Sequence, residues 1–175
     1  MLDNNVFWNY AVQIYSVPDV AALCLTLQNR YQLSVNYLLF GLWLAHEGRY
    51  LPADLSDQKV CQWRKTMLEP LRQLRFTLRE TKQSGEEYCC YEALKQAELA
   101  AEKVEIGLLY ELRERCPEAD LASGEDAWKK LSYCNLCVAA TSVTKSAAAE
   151  FDKDEDLQAL LAHLGDKATS AVVIS

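Results

Sequence analysis

A chain of 175 residues, half of them hydrophobic, is long enough for one domain with a core of its own. Six glycines and four prolines are too few for a collagen-like, linker-rich or all-β chain. A net charge of −7 argues against bulk nucleic-acid binding, which needs a basic face.

The hydrophobic spacing predicts seven helices. The first runs from about Asp3, a candidate N-cap, to Tyr15, with Phe7, Tyr10, Ala11 and Ile14 on one face. Ser16-Val-Pro18 breaks it, and Pro18 suits the first turn of the second helix, which reaches about Arg30. Ser34 can cap the third, Val35 to Glu47, with Gly48 in the left-handed position after it. The third helix is apolar nearly all round, as a central core helix should be.

Ser56 opens a long fourth helix to about Lys82. Val60, Trp63, Met67, Leu71, Leu74 and Leu78 recur on one side of it, and Pro70 predicts a kink between residues 66 and 70. The fifth, about Glu86 to Arg115, presents Cys90, Leu94, Ala97, Ala101, Val104, Leu108 and Leu112 as its inner seam. Ser123-Gly124 opens a sixth to about Glu150, with Trp128, Leu131, Cys134 and Val138 inward. A short seventh covers about Asp154 to Leu164 and stops at Gly165. Short loops between amphipathic helices make antiparallel neighbours. The expectation is a single-domain all-α bundle over residues 1–165, three long helices and a shorter N-terminal cluster, with a docked or frayed tail at 166–175.

The longest apolar run, Val35 to Ala45, is interrupted by Asn36 and falls short of the roughly 20 residues of a membrane span. No signal-peptide pattern is visible in MLDNNVFWNY. Seven cysteines then read as reduced, mostly buried thiols of a cytoplasmic protein.

Catalytic and metal patterns fail one by one. Neither His46 nor His163 follows a glutamate by three residues, so the di-iron bundle motif is missing. Both histidines read as helix C-terminal imidazoles. Cys134-Asn-Leu-Cys137 sits mid-helix, away from the helix N-terminus that activates a redox thiol, and reads as packing. Asp152, Asp154 and Asp156 resemble the start of a calcium loop, but Leu157 and His163 stand where Gly and Glu are needed. They read as acidic residues at a helix start. No metal and no cofactor is expected.

Two features remain. Residues 56–82 carry seven basic and three acidic groups in an otherwise acidic chain, and Arg72, Arg75, Arg79 and Lys82 form a stripe. The stripe either pairs with Glu86, Glu98 or Glu105 of the fifth helix or binds an anion. The first third is rich in amides: Gln13, Gln28, Asn29 and above all Asn36 in the most apolar helix. These either pin the first three helices together or line a polar pocket walled by Trp8, Trp43 and Tyr37.

Phe7-Trp8, Tyr15-Ser-Val-Pro18, Cys24-Leu-Thr-Leu-Gln28, Val35-Asn36-Tyr-Leu-Leu39 and Leu42-Trp43-Leu-Ala45, with Trp63 and Pro70-Leu71-Arg72 later, resemble a family of small all-helical proteobacterial proteins of unknown function over about residues 7–79. Leu33 and Ser34 stand where the family pattern has Gly and Asp. The resemblance implies a bacterial, cytoplasmic helical protein and supplies no catalytic residue.

The leading expectation is a non-enzymatic protein-interaction or regulatory module, with another protein or a second copy as partner. The alternative is a binder of, or enzyme acting on, a small anionic metabolite at Arg72, Arg75, Arg79, Asn36 and Gln28. A second alternative is contact of the basic fourth helix with RNA or an anionic surface.

Overall fold

The computed structural model describes residues 5–81, 84–120, 125–142 and 153–173, and they form an all-α fold. The helices are α1 (Val6–Tyr15), α2 (Val20–Tyr31), α3 (Val35–His46), α4 (Gln58–Trp63), α5 (Glu69–Thr81), α6 (Gly85–Glu111), α7 (Glu125–Thr141) and α8 (Glu155–Val173). A π-helical turn, Arg64–Leu68, joins α4 to α5 without a break, so the described residues make seven helical rods. Among them no strand forms, and one isolated bridge links Arg49 to Glu118. Among the described residues no single helix is long and apolar enough to cross a membrane.

The third helix is the spine, as its composition predicted. Every residue from Val35 to Ala45 is buried. Ser34 caps it by accepting from the Tyr37 amide, and Gly48 takes a φ of 68° just beyond. Phe7 stacks on Trp43 at 5.1 Å and Tyr110 meets Trp43 at 5.4 Å, so α1, α3 and α6 share one aromatic cluster. On the far side α7 approaches closely. A Cβ at Gly41 would lie 3.2 Å from the Asn135 carbonyl oxygen. Asn135, almost wholly buried, donates to the Gly41 and Arg49 carbonyls at 3.0 and 2.9 Å, and its Oδ1 accepts from the Leu51 amide at 2.9 Å.

Several boundaries differ from expectation. Asn5 caps α1 through Oδ1, accepting from the Phe7 and Trp8 amides; Asp3 lies outside the described residues. α2 begins at Val20, because Asp19 takes a φ of 72° and ends the Pro18 turn. Asp57 rather than Ser56 caps α4. The kink expected near Pro70 is the π-turn. The prolyl ring has no N–H for the Thr66 carbonyl, and the Glu69 amide donates to the Arg64 carbonyl instead.

The last helix does not stop at Gly165. It continues to Val173 and buries Ala168 and Thr169, so residues 166–173 of the expected tail belong to the helix. Gly165 sits inside it, where an added Cβ would make an ordinary contact with Leu136 at 3.4 Å. His163 is therefore an exposed mid-helix residue, not a helix end. Asp154 caps α8 by accepting from the Leu157 amide at 2.9 Å. Lys82, Ser123, Gly124, Asp152 and the 143–150 end of the expected sixth helix lie outside the described residues.

The seams of the fourth and fifth predicted helices are only partly inside. No α5 residue is buried; Leu74 is 56% exposed and Met67, in the π-turn, 43%. Of the expected α6 seam, Ala101 and Leu112 are buried but Cys90 and Ala97 are exposed, and Glu98, Glu105, Ile106 and Leu109 are buried beside it. Among the described residues, α5 and α6 form a two-helix arm with no third helix over its apolar stripe. Likewise Cys134 faces out, and Cys61, Cys89 and Cys90 join it at the surface; only Cys24 and Cys116 are buried.

Candidate functional site

The arm is joined to the body by charge. On α6, Glu98, Glu102 and Glu105 follow each other at helical spacing and face the π-turn and α5. Arg64 Nε donates to Glu105 at 2.6 Å. Arg72 donates to Glu102 at 2.8 Å and lies 3.4 Å from Glu98. Arg75 reaches Glu98 with Nε and with Nη2, the latter at 3.3 Å. The opposite oxygen of Glu105 accepts from Asn36 Nδ2 at 2.7 Å, tying the network to the spine.

The π-turn sets this register. Eight residues at about 100° each would leave Arg64 and Arg72 about 80° apart on a regular helix. The extra residue absorbed by the π-turn cuts that offset to about 20°, so both arginines face the same side.

Two hollows flank the network. The first is a cleft of about 480 Å³ between the α2–α3 junction and the π-turn–α5 rod. Gln28, Asn29, Gln32, Ser34 and Gln73 line it, with Arg64, Arg72, Glu69 and Phe76. The second is a groove of about 520 Å³ between α1, α3 and α6, mostly apolar. Gln28 lies on both. Arg64 Nη2 is buried with no hydrogen-bond acceptor among the described residues, and Arg64 lines both this cleft and the small hollow beside Tyr37. Arg72 Nε makes no hydrogen bond either, although it lies 3.4 Å from Glu98 Oε1.

The residues singled out in the sequence are thus divided. Arg72 lines the cleft while paired with glutamates. Arg75 pairs with Glu98, which with desolvation opposing raises its pKa, and its guanidinium also stacks on Phe76 at 4.6 Å. Arg79 stacks on the same ring at 5.0 Å. Asn36 is buried in the network and borders the groove. Trp8 borders the groove too, whereas Trp43 is core and Tyr37 lines a separate hollow of about 100 Å³. His46 stacks between Tyr10 and Trp128, 5.4 Å from each. Among the described residues no three His, Cys, Asp or Glu side chains gather as a metal-ligand set.

Sequence reasoning missed Arg64, Gln73 and Phe76. The available signal for Arg64 was Pro70, once its effect is taken as an inserted residue rather than a bend. Burial, helped by Glu98 and Glu105 and opposed by Arg72, raises the Glu102 pKa above the ordinary carboxylate value.

No curated protein matches the chain, and no solved structure does. Residues 6–109 match the family described as "Protein of unknown function (DUF2390)". The matched segment runs from the first residue of α1 into the last turn of α6, so it holds the ion-pair network and every lining residue of the cleft and the groove. The chain belongs to the DUF2390 family.

Proposed function

We propose that this chain is a non-enzymatic interaction module that holds a segment of a partner protein in the amide-lined cleft. The observation that carries the reading is the row of amide side chains lining the cleft, beside Arg64, whose Nη2 has no hydrogen-bond acceptor among the described residues. A peptide carbonyl or side-chain carboxylate supplies that acceptor. Gln28, Asn29, Gln32 and Gln73 each offer a donor and an acceptor, the same pair a peptide bond presents. Arg64, Arg72 and Arg75 are matched by Glu98, Glu102 and Glu105, so the floor is close to neutral and favours hydrogen bonding over general anion capture. All seven cysteines are free thiols, which supports a reducing, cytoplasmic setting.

The test is a displayed random-peptide library selected on the wild type and counter-selected on Gln73→Trp, an exposed cleft position. A consensus that binds the wild type and loses at least tenfold on Gln73→Trp and on Arg64→Met supports the reading. No consensus, or one indifferent to both changes, overturns it.

A second reading keeps the same cleft for a small carboxylate or phosphate. Ser34, which caps the N-terminus of α3, lines the cleft beside Arg64 and Arg72, and a helix N-terminus favours negative charge. Saturable binding of phosphate or citrate, lost in Arg64→Met, with no peptide selected, favours this reading over the first.

A further inference from the structure

The groove across the Arg72–Glu102 pair has a different chemistry. Trp8, Val12 and Tyr15 of α1 face Leu39 of α3 and Leu99 and Ile106 of α6 around about 520 Å³. That volume lies within the range of small-molecule sites. Val12, Tyr15 and Leu99 remain 49%, 39% and 40% exposed, so large apolar side chains from two helices converge on one opening. The lining contains no lysine or arginine, and its one carboxylate is Glu102.

We propose that this groove binds a small amphiphile with an apolar body and a protonated amine head, the head meeting the Glu102 carboxylate. Charge complementarity selects this occupant. Glu102 draws on a single guanidinium, Arg72, which also serves Glu98, itself held by Arg75. Burial and the neighbouring Glu98 and Glu105 carboxylates hold its pKa up, and an ammonium beside it relieves that penalty. The groove adjoins the peptide cleft at Gln28 and the Arg72–Glu102 pair, but its ligand and its wall variant Val12→Trp are its own, so the two readings fail separately.

The test uses n-octylamine, n-octanol and n-octanoate, which share a body and differ in the head. Binding is followed by the Trp8 indole N–H resonance in NMR, assigned with Trp8→Phe. The amine is expected to bind saturably and about tenfold tighter than the alcohol, with octanoate weaker still. Glu102→Gln should bring amine and alcohol within about twofold. Val12→Trp, at an exposed wall position, should abolish both, and serves as the check if Glu102→Gln fails to fold. Equal binding of amine and alcohol to the wild type overturns the cationic head. Absence of saturable binding by any of the three, or an amine preference that survives in Glu102→Gln, overturns the site.

Discussion

Arg64 donates to Glu105 at 2.6 Å while the Glu105 side chain has no solvent exposure at all. The pair crosses from the π-turn to α6, and Asn36 completes it from α3. A buried charge without its partner is costly, so Glu105→Ala is expected to destabilise the fold by about 3–5 kcal/mol, through both the stranded Arg64 and the cavity. For a chain of this size the melting temperature should drop by about 10 °C. Arg64→Met with Glu105→Leu should recover most of the loss, because neither charge is then left alone. Urea unfolding of the three variants checks this.

Pro70 is the reason the π-turn exists, and its removal should act on Arg64 at a distance. In Pro70→Ala the segment can close into a regular helix, and Arg64 then swings about 80° from Arg72. Overall helicity should stay unchanged or rise slightly. A double-mutant cycle between Arg64 and Glu105 should lose at least half its coupling energy in the Pro70→Ala background. Full coupling retained there means the π-turn is held by other contacts.

Asn135 ties three backbone groups from α3 and the following loop to α7. Asn135→Ala strands all of them, an expected loss of about 2–4 kcal/mol. Gly41→Ala attacks the same junction by contact, with a Cβ 3.2 Å from a carbonyl oxygen, and should cost about 1–3 kcal/mol. Because both act at one interface, their effects should be clearly non-additive in the double variant.

Burial pushes the Cys24 thiol up to about 12 and the Cys116 thiol up to about 11, the latter opposed by Arg49 and Arg115. Both are raised above the unfolded value, so the stability they contribute is complete below about pH 9 and is lost as pH climbs through 11 to 12. Tyr15 and Tyr37 are raised by burial too and act in the same direction. The urea midpoint should therefore be flat from pH 7 to 9 and fall steeply above 10. At pH 8 iodoacetamide should modify Cys61, Cys89, Cys90 and Cys134 quickly, and Cys24 and Cys116 only after unfolding.

How much of this could be read in advance depended on who surrounds each helix. Val35 to Ala45 was legible because an all-apolar helix has one solution, a place at the centre. Glu98 was legible as a partner of the arginine stripe, since opposite charges faced each other on neighbouring helices, whereas Glu105 pairs with Arg64, outside the stripe. Leu74 and Cys90 were not, because the inward reading of an apolar stripe assumes that something lies over it. Among the described residues the arm has two helices, and much of its inner face is built from ion pairs. Asn135 escaped notice between Cys134 and Leu136, since nothing local distinguishes an amide that ties a junction from one on a surface. Arg64 was hidden by the arithmetic of a regular helix, which a single proline changed. Gly165 looked like a stop because glycine favours helix ends, but burial of Leu161, Leu164 and Ala168 on either side carries the helix through it.

The encirclement of α3 bears on what the family boundary means. The family match closes at residue 109, within α6, yet one flank of α3 is covered by α7 from beyond that point, where Leu136 and Ala139 are buried. Cutting the chain there would hand water a helix with no polar side to turn toward it. The matched span and the span that encloses α3 are therefore different lengths, and α7 lies in the portion by which they differ.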